Sequence, residues 1–275
     1  MEIRITTLNE NSAKFGFLAE WGLSVLIETN NVRILMDTGF NVSAVQNAPV
    51  LGIDLSKIDK IVLSHGHVDH TGGLHEVLRR TGPVEVIAHP DIFASKYAIW
   101  EGKEIYVGIP FRQEDLEGLG ASFKLTREPV NLGDGIMTTG EIPMSTSYEE
   151  VDPEVFVKRE GSTYPDPLND DLSLIIKTEQ GLIVILGCAH HGVINTLHHA
   201  QKLTGQKIIH TIIGGLHLFR ASKNQVEQTV RALREMQIKK IGVSHCTGFY
   251  ASARFAQEFG DMFFLNNAGT SLTLP

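Results

Sequence analysis

Apolar residues in the first third of the chain come in short runs separated by turn-forming residues: Ile3 to Leu8, Leu23 to Glu28, Val32 to Met36 and Ile61 to Leu63. Runs of that length predict strands of a sheet. From Thr71 to Arg80 the period changes. Leu74, Val77 and Leu78 fall on one face of a helix, and Gly82-Pro83 ends it before another strand-like run, Val84 to Ala88. The second half repeats the alternation, with strands predicted over Leu172 to Lys177, Leu182 to Leu186, Lys207 to Ile213 and Lys239 to Ser244. A helix is predicted from Ser222, where Ser222 and Gln225 have capping-box spacing and Val226, Val230 and Leu233 form a stripe. Another is predicted over Phe249 to Phe259. Two halves that each place strands before helices predict an α/β protein in which two sheets pack face to face with helices outside, an αββα sandwich.

Between the halves, residues 91–171 read as irregular. The part from Tyr148 to Asp171 has eight acidic residues against Lys158 and Arg159, and carries Pro153, Pro165 and Pro167. Such a stretch reads as a long loop or lid inserted in a single domain spanning 1–275, mobile when the site is empty.

Composition narrows the classes. With 275 residues and 42% hydrophobic content the chain can bury a large core. A net charge of -8 provides no basic field for a nucleic-acid backbone, so nucleic acid is excluded as a partner and a small molecule is expected. No apolar run approaches the roughly 18 residues that span a bilayer, and the first residues lack the layout of a signal peptide. The expectation is a cytoplasmic protein without membrane contact, of undetermined oligomeric state. Cys188 and Cys246 are too few for a disulfide framework and sit beside histidines, so metal or active-site chemistry competes with plain burial.

The 12 histidines are the informative excess. Ser64-His65-Gly66-His67-Val68-Asp69-His70-Thr71-Gly72-Gly73 packs three imidazoles and a carboxylate between a predicted strand and a predicted helix. Imidazole and carboxylate donors suit zinc, iron or manganese, and the glycines let the backbone curl so that the side chains converge. In an extended segment His65 and His67 project to one side and can grip one ion, while Asp69 and His70 on the following turn reach a second. The competing reading is a solvated or merely hydrogen-bonded histidine loop.

The motif His65-x-His67-x-Asp69-His70, preceded by Asp37-Thr38-Gly39 at a strand end, resembles the signature of the metallo-β-lactamase superfamily, whose fold is an αββα sandwich with one or two metals at the sheet edge. The resemblance extends through Glu20-x-Gly22-Leu23-Ser24, Gly187-Cys188-Ala189-His190, Gly214-Gly215-Leu216-His217-Leu218 and Ser244-His245-Cys246-Thr247-Gly248. These segments look like a subgroup related to the archaeal dihydropterin-condensing enzymes of methanopterin synthesis, some members of which are described only as metal-dependent hydrolases. The resemblance implies that His190 completes the site of His65 and His67, and that His245 joins Asp69 and His70. It implies two divalent transition-metal ions, zinc foremost and iron or manganese as alternatives.

Where many members have Gly-Asp, with the carboxylate bridging both metals, this chain has Gly187-Cys188. Cys188 is either a further ligand that can bridge or a small apolar residue under the site. Family order places Glu141 near the metals, as a replacement ligand, a substrate contact or a residue facing the lid. His217 reads as a substrate contact or a structural histidine, and Asp37 as a carboxylate that anchors the metal loop and a ligand's free ring nitrogen. His89, His191, His198, His199 and His210 read as surface or structural. Phe111, Phe123, Tyr148 and Phe156 are candidates for a substrate pocket or for minor-core anchors.

Two such ions activate a water or polarise a bond under attack, with Asp69 as the catalytic carboxylate that orients the nucleophile. The leading expectation is a metal-dependent enzyme acting on a phosphorylated or ester-like small molecule. One use is condensation of a dihydropterin diphosphate with an arylamine, and the alternative is generic phosphoester or ester hydrolysis. A diiron redox protein would require a flavin partner and a full carboxylate bridge, neither of which is evident, and a noncatalytic metal-binding sensor would have no use for so complete a ligand set.

Overall fold

The computed structural model describes residues 2–274. Its first seven-stranded sheet runs, edge to edge, Ser271–Leu274, Ile3–Asn9, Ser24–Glu28, Arg33–Met36, Lys60–Val62, Val84–Ala88 and Ala121–Leu125. The second runs Phe263–Leu265, Lys240–Ser244, Ile209–Gly215, Gly181–Leu186, Ser173–Thr178, Ile136–Thr138 and Asn131–Gly133. Strand Gly181–Leu186 explains the layering. Leu182, Val184 and Leu186 belong to the apolar core beneath the helices, whereas Ile183 and Ile185 belong to the core between the sheets. Side chains alternate with period two, so a strand buried on both faces reads as an unbroken apolar run.

Three cores therefore stack. Helices Ser43–Val50, Leu74–Thr81 and Gln113–Gly118 contribute Val45, Val77, Leu78 and Leu116 to a core on the first sheet. Ile5, Val25 and Ile34 join Leu174, Ile183 and Ile185 between the sheets. Helices Val193–Thr204, Lys223–Glu235 and Phe249–Phe259 cover the second sheet with Leu197, Val230 and Phe255. The expected αββα sandwich is the observed architecture. Ser222 caps its helix as expected, its hydroxyl accepting from the Gln225 amide at 3.2 Å. The division into halves is less strict than the sequence suggests. The chain returns at its end to the first sheet, where Leu274, Thr273, Leu272 and Ser271 pair antiparallel with Ile3, Arg4, Ile5 and Thr6.

The expected long irregular segment is corrected by the structure. Lys96–Trp100, Lys103–Tyr106, Val155–Arg159 and Ser162–Pro165 form a third, antiparallel sheet. The acidic residues that looked solvated have buried tasks. Lys96 is fully buried, and its ammonium donates to Asp166 Oδ2 and Asp170 Oδ1, both at 2.8 Å. Burial favours the neutral amine, but these two carboxylates outweigh it and hold Lys96 protonated above its ordinary range. The second oxygen of Asp170 accepts the Gly66 amide at 2.7 Å, which ties this sheet to the histidine loop. Glu149 accepts the Ile194 and Asn195 amides at 2.9 and 2.8 Å, at the start of helix Val193–Thr204. Carboxylates there satisfy the free amides of the first turn.

Replacing Lys96 with Ala leaves two interior carboxylates without a counter-charge, which costs about 3–5 kcal/mol. Lys158, which pairs with Glu104 in a partly exposed position, is the control; its loss costs less than about 1 kcal/mol. Urea unfolding of Lys96→Ala and Lys158→Ala checks this, and equal losses would contradict the interior pairing.

Candidate metal centre

Parallel strands deliver the site. Asp37 follows Arg33–Met36, the histidine loop follows Lys60–Val62, Cys188 and His190 follow Gly181–Leu186, His217 follows Ile209–Gly215, and His245 follows Lys240–Ser244. Parallel strands place all their carboxyl ends at one edge, where ligands collect in open α/β sheets. Asp37, Ala189, His217 and His245 have left-handed backbones, with φ of 58, 54, 47 and 51°. Each turn costs about 1–2 kcal/mol for a residue with a Cβ, and it swings the chain back over the sheet edge. Gly187 has a different reason to lack a side chain, because a Cβ there would meet Ser64 Oγ at 2.2 Å.

The first triad is His65, His67 and His190. His65 Nε2 stands 3.1 Å from His67 Nδ1 and 3.2 Å from His190 Nε2. All three rings are buried. Burial, reinforced for His65 and His190 by neighbouring rings, pushes those two well below the ordinary imidazole range, and burial pulls His67 to about 3. The rings are neutral at pH 7, which is the form that ligates a metal.

The second triad is Asp69, His70 and His245. His245 Nε2 is 3.2 Å from Asp69 Oδ2 and 3.3 Å from His70 Nε2. The outer nitrogens have acceptors: His70 Nδ1 donates to Asp37 Oδ2 at 2.6 Å, and His245 Nδ1 to Asn11 Oδ1 at 2.9 Å. With protons on both Nδ1 atoms, the two Nε2 atoms turn lone pairs toward each other across 3.3 Å, an arrangement that calls for a cation or a proton between them. Burial opposes a charge on His70, but the Asp37 and Asp69 carboxylates prevail and raise it to about 9. Burial also opposes ionisation of Asp69, yet His70 and His245 hold its carboxyl far below the usual range. Cys188 Sγ lies 3.1 Å from His70 Nε2, and burial pushes its thiol up. Two convergent triads of nitrogen and oxygen donors, with the Cys188 sulfur beside them, are a donor set that fits transition-metal binding.

A cavity of about 410 Å³ opens over this floor. Trp21 and Phe40 line one side, Trp100, Ile105 and Tyr106 of the third sheet another, and Phe219 and Arg220 a third. His217 stands at the edge of the floor, its ring centroid 4.1 Å from that of His190 and neither of its nitrogens hydrogen-bonded. Burial disfavours its charge, but Asp152 and Cys246 raise it to about 9. The Arg220 guanidinium lies 5.1 Å from the Trp100 ring centroid and pairs with Glu154.

One expectation is corrected, and one open choice falls to core packing. Glu141 does not approach the donors: it accepts from His89 Nε2 at 2.9 Å and Arg127 Nη1 at 2.8 Å, away from the cavity lining. The cause is the turn at Gly140, φ 64°, which seats the chain on the backbone of Arg127 to Pro129, where a Cβ would meet Arg127 O at 2.6 Å. Phe111, Phe123, Tyr148 and Phe156 pack elsewhere; Phe123 meets Phe93, and Phe156 stacks on Tyr97. Sequence reasoning missed Trp21, whose indole donates to Asp69 Oδ2 at 3.0 Å, and Glu10, which accepts the His245 amide at 2.6 Å. Trp21 lies inside the quoted Glu20-x-Gly22 motif, and a Cβ on Gly22 would meet Asp69 O at 2.1 Å. Glu10 has no such signal, being paired across most of the chain.

His67→Ala removes a member of the first triad, and elemental analysis of the purified variant is expected to find at least one ion fewer per chain; unchanged metal content would contradict the assignment. The triads should also differ in pH dependence. A cation entering the second triad displaces the His70 proton, so its affinity rises about tenfold per pH unit up to about 9 and then levels. The first triad, neutral already, shows no such slope from mildly acid to neutral pH. Without metal, the raised His70 stabilises the fold fully below about 6.5, and that contribution is lost as pH rises through 9. Competition titration with a chelator at several pH values checks the slopes, and parallel pH dependence at the two sites would refute the difference.

Comparison with known proteins identifies the family. The family model described as the metallo-beta-lactamase superfamily matches residues 22–245. A 7,8-dihydropterin-6-methyl-4-(beta-D-ribofuranosyl)-aminobenzene-5'-phosphate synthase of Methanocaldococcus jannaschii is 36% identical, over 97% of this chain and 95% of its own. Among solved structures, Tm1679, described as a metal-dependent hydrolase of the beta-lactamase superfamily, superposes with a TM-score of 0.85 at 29% identity, covering 98% of each chain. The metallo-beta-lactamase fold protein YhfI of Bacillus subtilis shares the fold alone, at 13% identity and a TM-score of 0.61 over 99% of each chain. With two donor triads at the carboxyl edge of paired sheets and a family match running from Gly22 to His245, the chain belongs to the metallo-beta-lactamase superfamily.

Proposed function

We propose that this metal-dependent enzyme condenses a dihydropterin diphosphate with an arylamine, using two divalent ions, zinc foremost, held by His65, His67 and His190 and by Asp69, His70 and His245. The observation that carries the reading is the cavity: the planar side chains of Trp21, Phe40, Trp100 and Tyr106 line the same space as the donors His67, Asp69, His190 and His245. Aromatic walls suit a flat heterocycle, by stacking, while the floor suits its anionic tail. The Methanocaldococcus relative, similar along nearly its whole length, supports the same substrate class.

When bound, the ions supply positive charge to the diphosphate oxygens and ease their departure. The chain's own residues do the rest. In the condensation a bond forms between the amine nitrogen and the pterin methylene carbon as the carbon–oxygen bond to diphosphate breaks, and the amine nitrogen gives up one proton to solvent. His217 lines the cavity with its Nε2 3.9 Å from Asp152 Oδ2, and from there it donates to the departing anion. Arg220 stands at the rim paired with Asp152 and Glu154, while Trp21 and His245 hold the ionised Asp69 in place. The third sheet contributes the exposed apolar side chains of Trp100 and Ile105 to the cavity lining, where a seated substrate would cover them and shed water.

Hydrolysis is the alternative, favoured by the description of Tm1679. The two separate in one assay. Supplied with metal, a dihydropterin diphosphate and a phosphorylated ribosyl aminobenzene, the enzyme is expected to release diphosphate only when the amine is present. Activity on simple phosphodiesters is expected to be weak and β-lactams are expected to be untouched. His217→Ala is expected to lose about 10²-fold or more in coupling rate. Fast metal-dependent hydrolysis of a simple phosphodiester, with no binding of any pterin, would replace condensation by hydrolysis.

A further inference from the structure

The Sγ atom of Cys188 occupies a singular place in the cavity floor. It lies within 4.8 Å of donor atoms of His65 and His70, of His190 and His217, and of His245 and Cys246. Both triads are thereby represented around one sulfur. Its shortest donor separation is 3.1 Å, to His70 Nε2, one of the two lone pairs that face each other across the second triad. The backbone aims it there. Gly187 lies against Ser64, closer than any side chain allows, and Ala189 turns away through a left-handed conformation.

The neighbouring thiol is placed differently. Cys246 Sγ accepts the His217 amide at 3.3 Å and donates to the Cys188 carbonyl at 3.6 Å. Cys246 Sγ also lies within 4.8 Å of a His245 donor. Cys188 Sγ differs in meeting donors of both triads, although both residues are buried.

We propose that Cys188 is a bridging ligand, its sulfur binding both ions at the position where many members of the superfamily carry a bridging carboxylate. On metal uptake the S–H bond breaks, two sulfur–metal bonds form, and the proton passes to solvent. The inference rests on the two-metal reading above and deepens it. A soft, strongly donating sulfur lowers the effective charge of both ions, so they activate water less and act more as a clamp for an anionic leaving group. Condensation in place of hydrolysis would follow from this one exchange of ligand.

Cobalt(II) tests this without reference to turnover. The metal-free full-length protein, titrated with cobalt(II), is expected to develop a near-ultraviolet sulfur-to-cobalt charge-transfer band. That band should grow through the second equivalent, and electron paramagnetic resonance should report magnetic coupling between the two ions. Cys188→Ser should lose the band to background, whereas Cys246→Ser should retain it at wild-type intensity. Should Cys188→Ser fail to fold, Cys188→Asp, which keeps a bridging group, should bind two cobalt ions with no band. Cobalt uptake by the wild type without the band, a band without magnetic coupling between the ions, or a band that survives in either Cys188 variant would overturn the bridge while leaving the metal-dependent reading intact. Failure to take up cobalt at all would overturn both.

Discussion

A buried carboxylate needs donors, and Asp37, fully enclosed at the end of its strand, takes three: the Ser64 amide, the Ser64 hydroxyl and the His70 Nδ1–H. Two of these fix the start of the histidine loop and the third fixes a ring inside it. Because Nδ1 of His70 is committed to Asp37, only Nε2 can face inward. The second triad therefore inherits its geometry from a residue that touches none of the other donors. Outer partners of this kind typically carry about 10–100-fold in metal affinity, although they never contact the ion.

The fold makes that arrangement affordable because its strain is concentrated. Four residues at the ends of parallel strands adopt left-handed backbones, at about 1–2 kcal/mol each. Three apolar cores compensate, and each of them draws on strands that carry the site. Residues held in such conformations mark places where surrounding packing overrules local preference, and here they coincide with the donors or their immediate neighbours.

Much of this was legible in the sequence, for identifiable reasons. Strands buried on both faces announce themselves as continuous apolar runs, and a dense His-x-His-x-Asp-His segment between strand and helix leaves few alternatives to metal chemistry. The third sheet was not legible, because its strands are short and mixed in polarity, and the charge that stabilises it, Lys96, looks like a surface residue until its partners 70 and 74 residues away are known. Glu141 was misplaced because proximity in family order says nothing about a turn at Gly140. Glu10 and Asn11 support His245 from the opposite end of the chain, across separations of 235 and 234 residues, which no local pattern encodes. The return of the last strand to the first sheet was invisible for the same reason.

The chain has two tryptophans, and both line the cavity. Trp21 lies edge-on to the His245 ring at 5.3 Å and donates to Asp69, while Trp100 lies on the opposite wall beneath the Arg220 guanidinium. All indole emission from this protein therefore originates within reach of the donor floor. Its intrinsic fluorescence is a property of the site and not of the fold at large, so the molecule carries its own optical reporter of what enters the cavity.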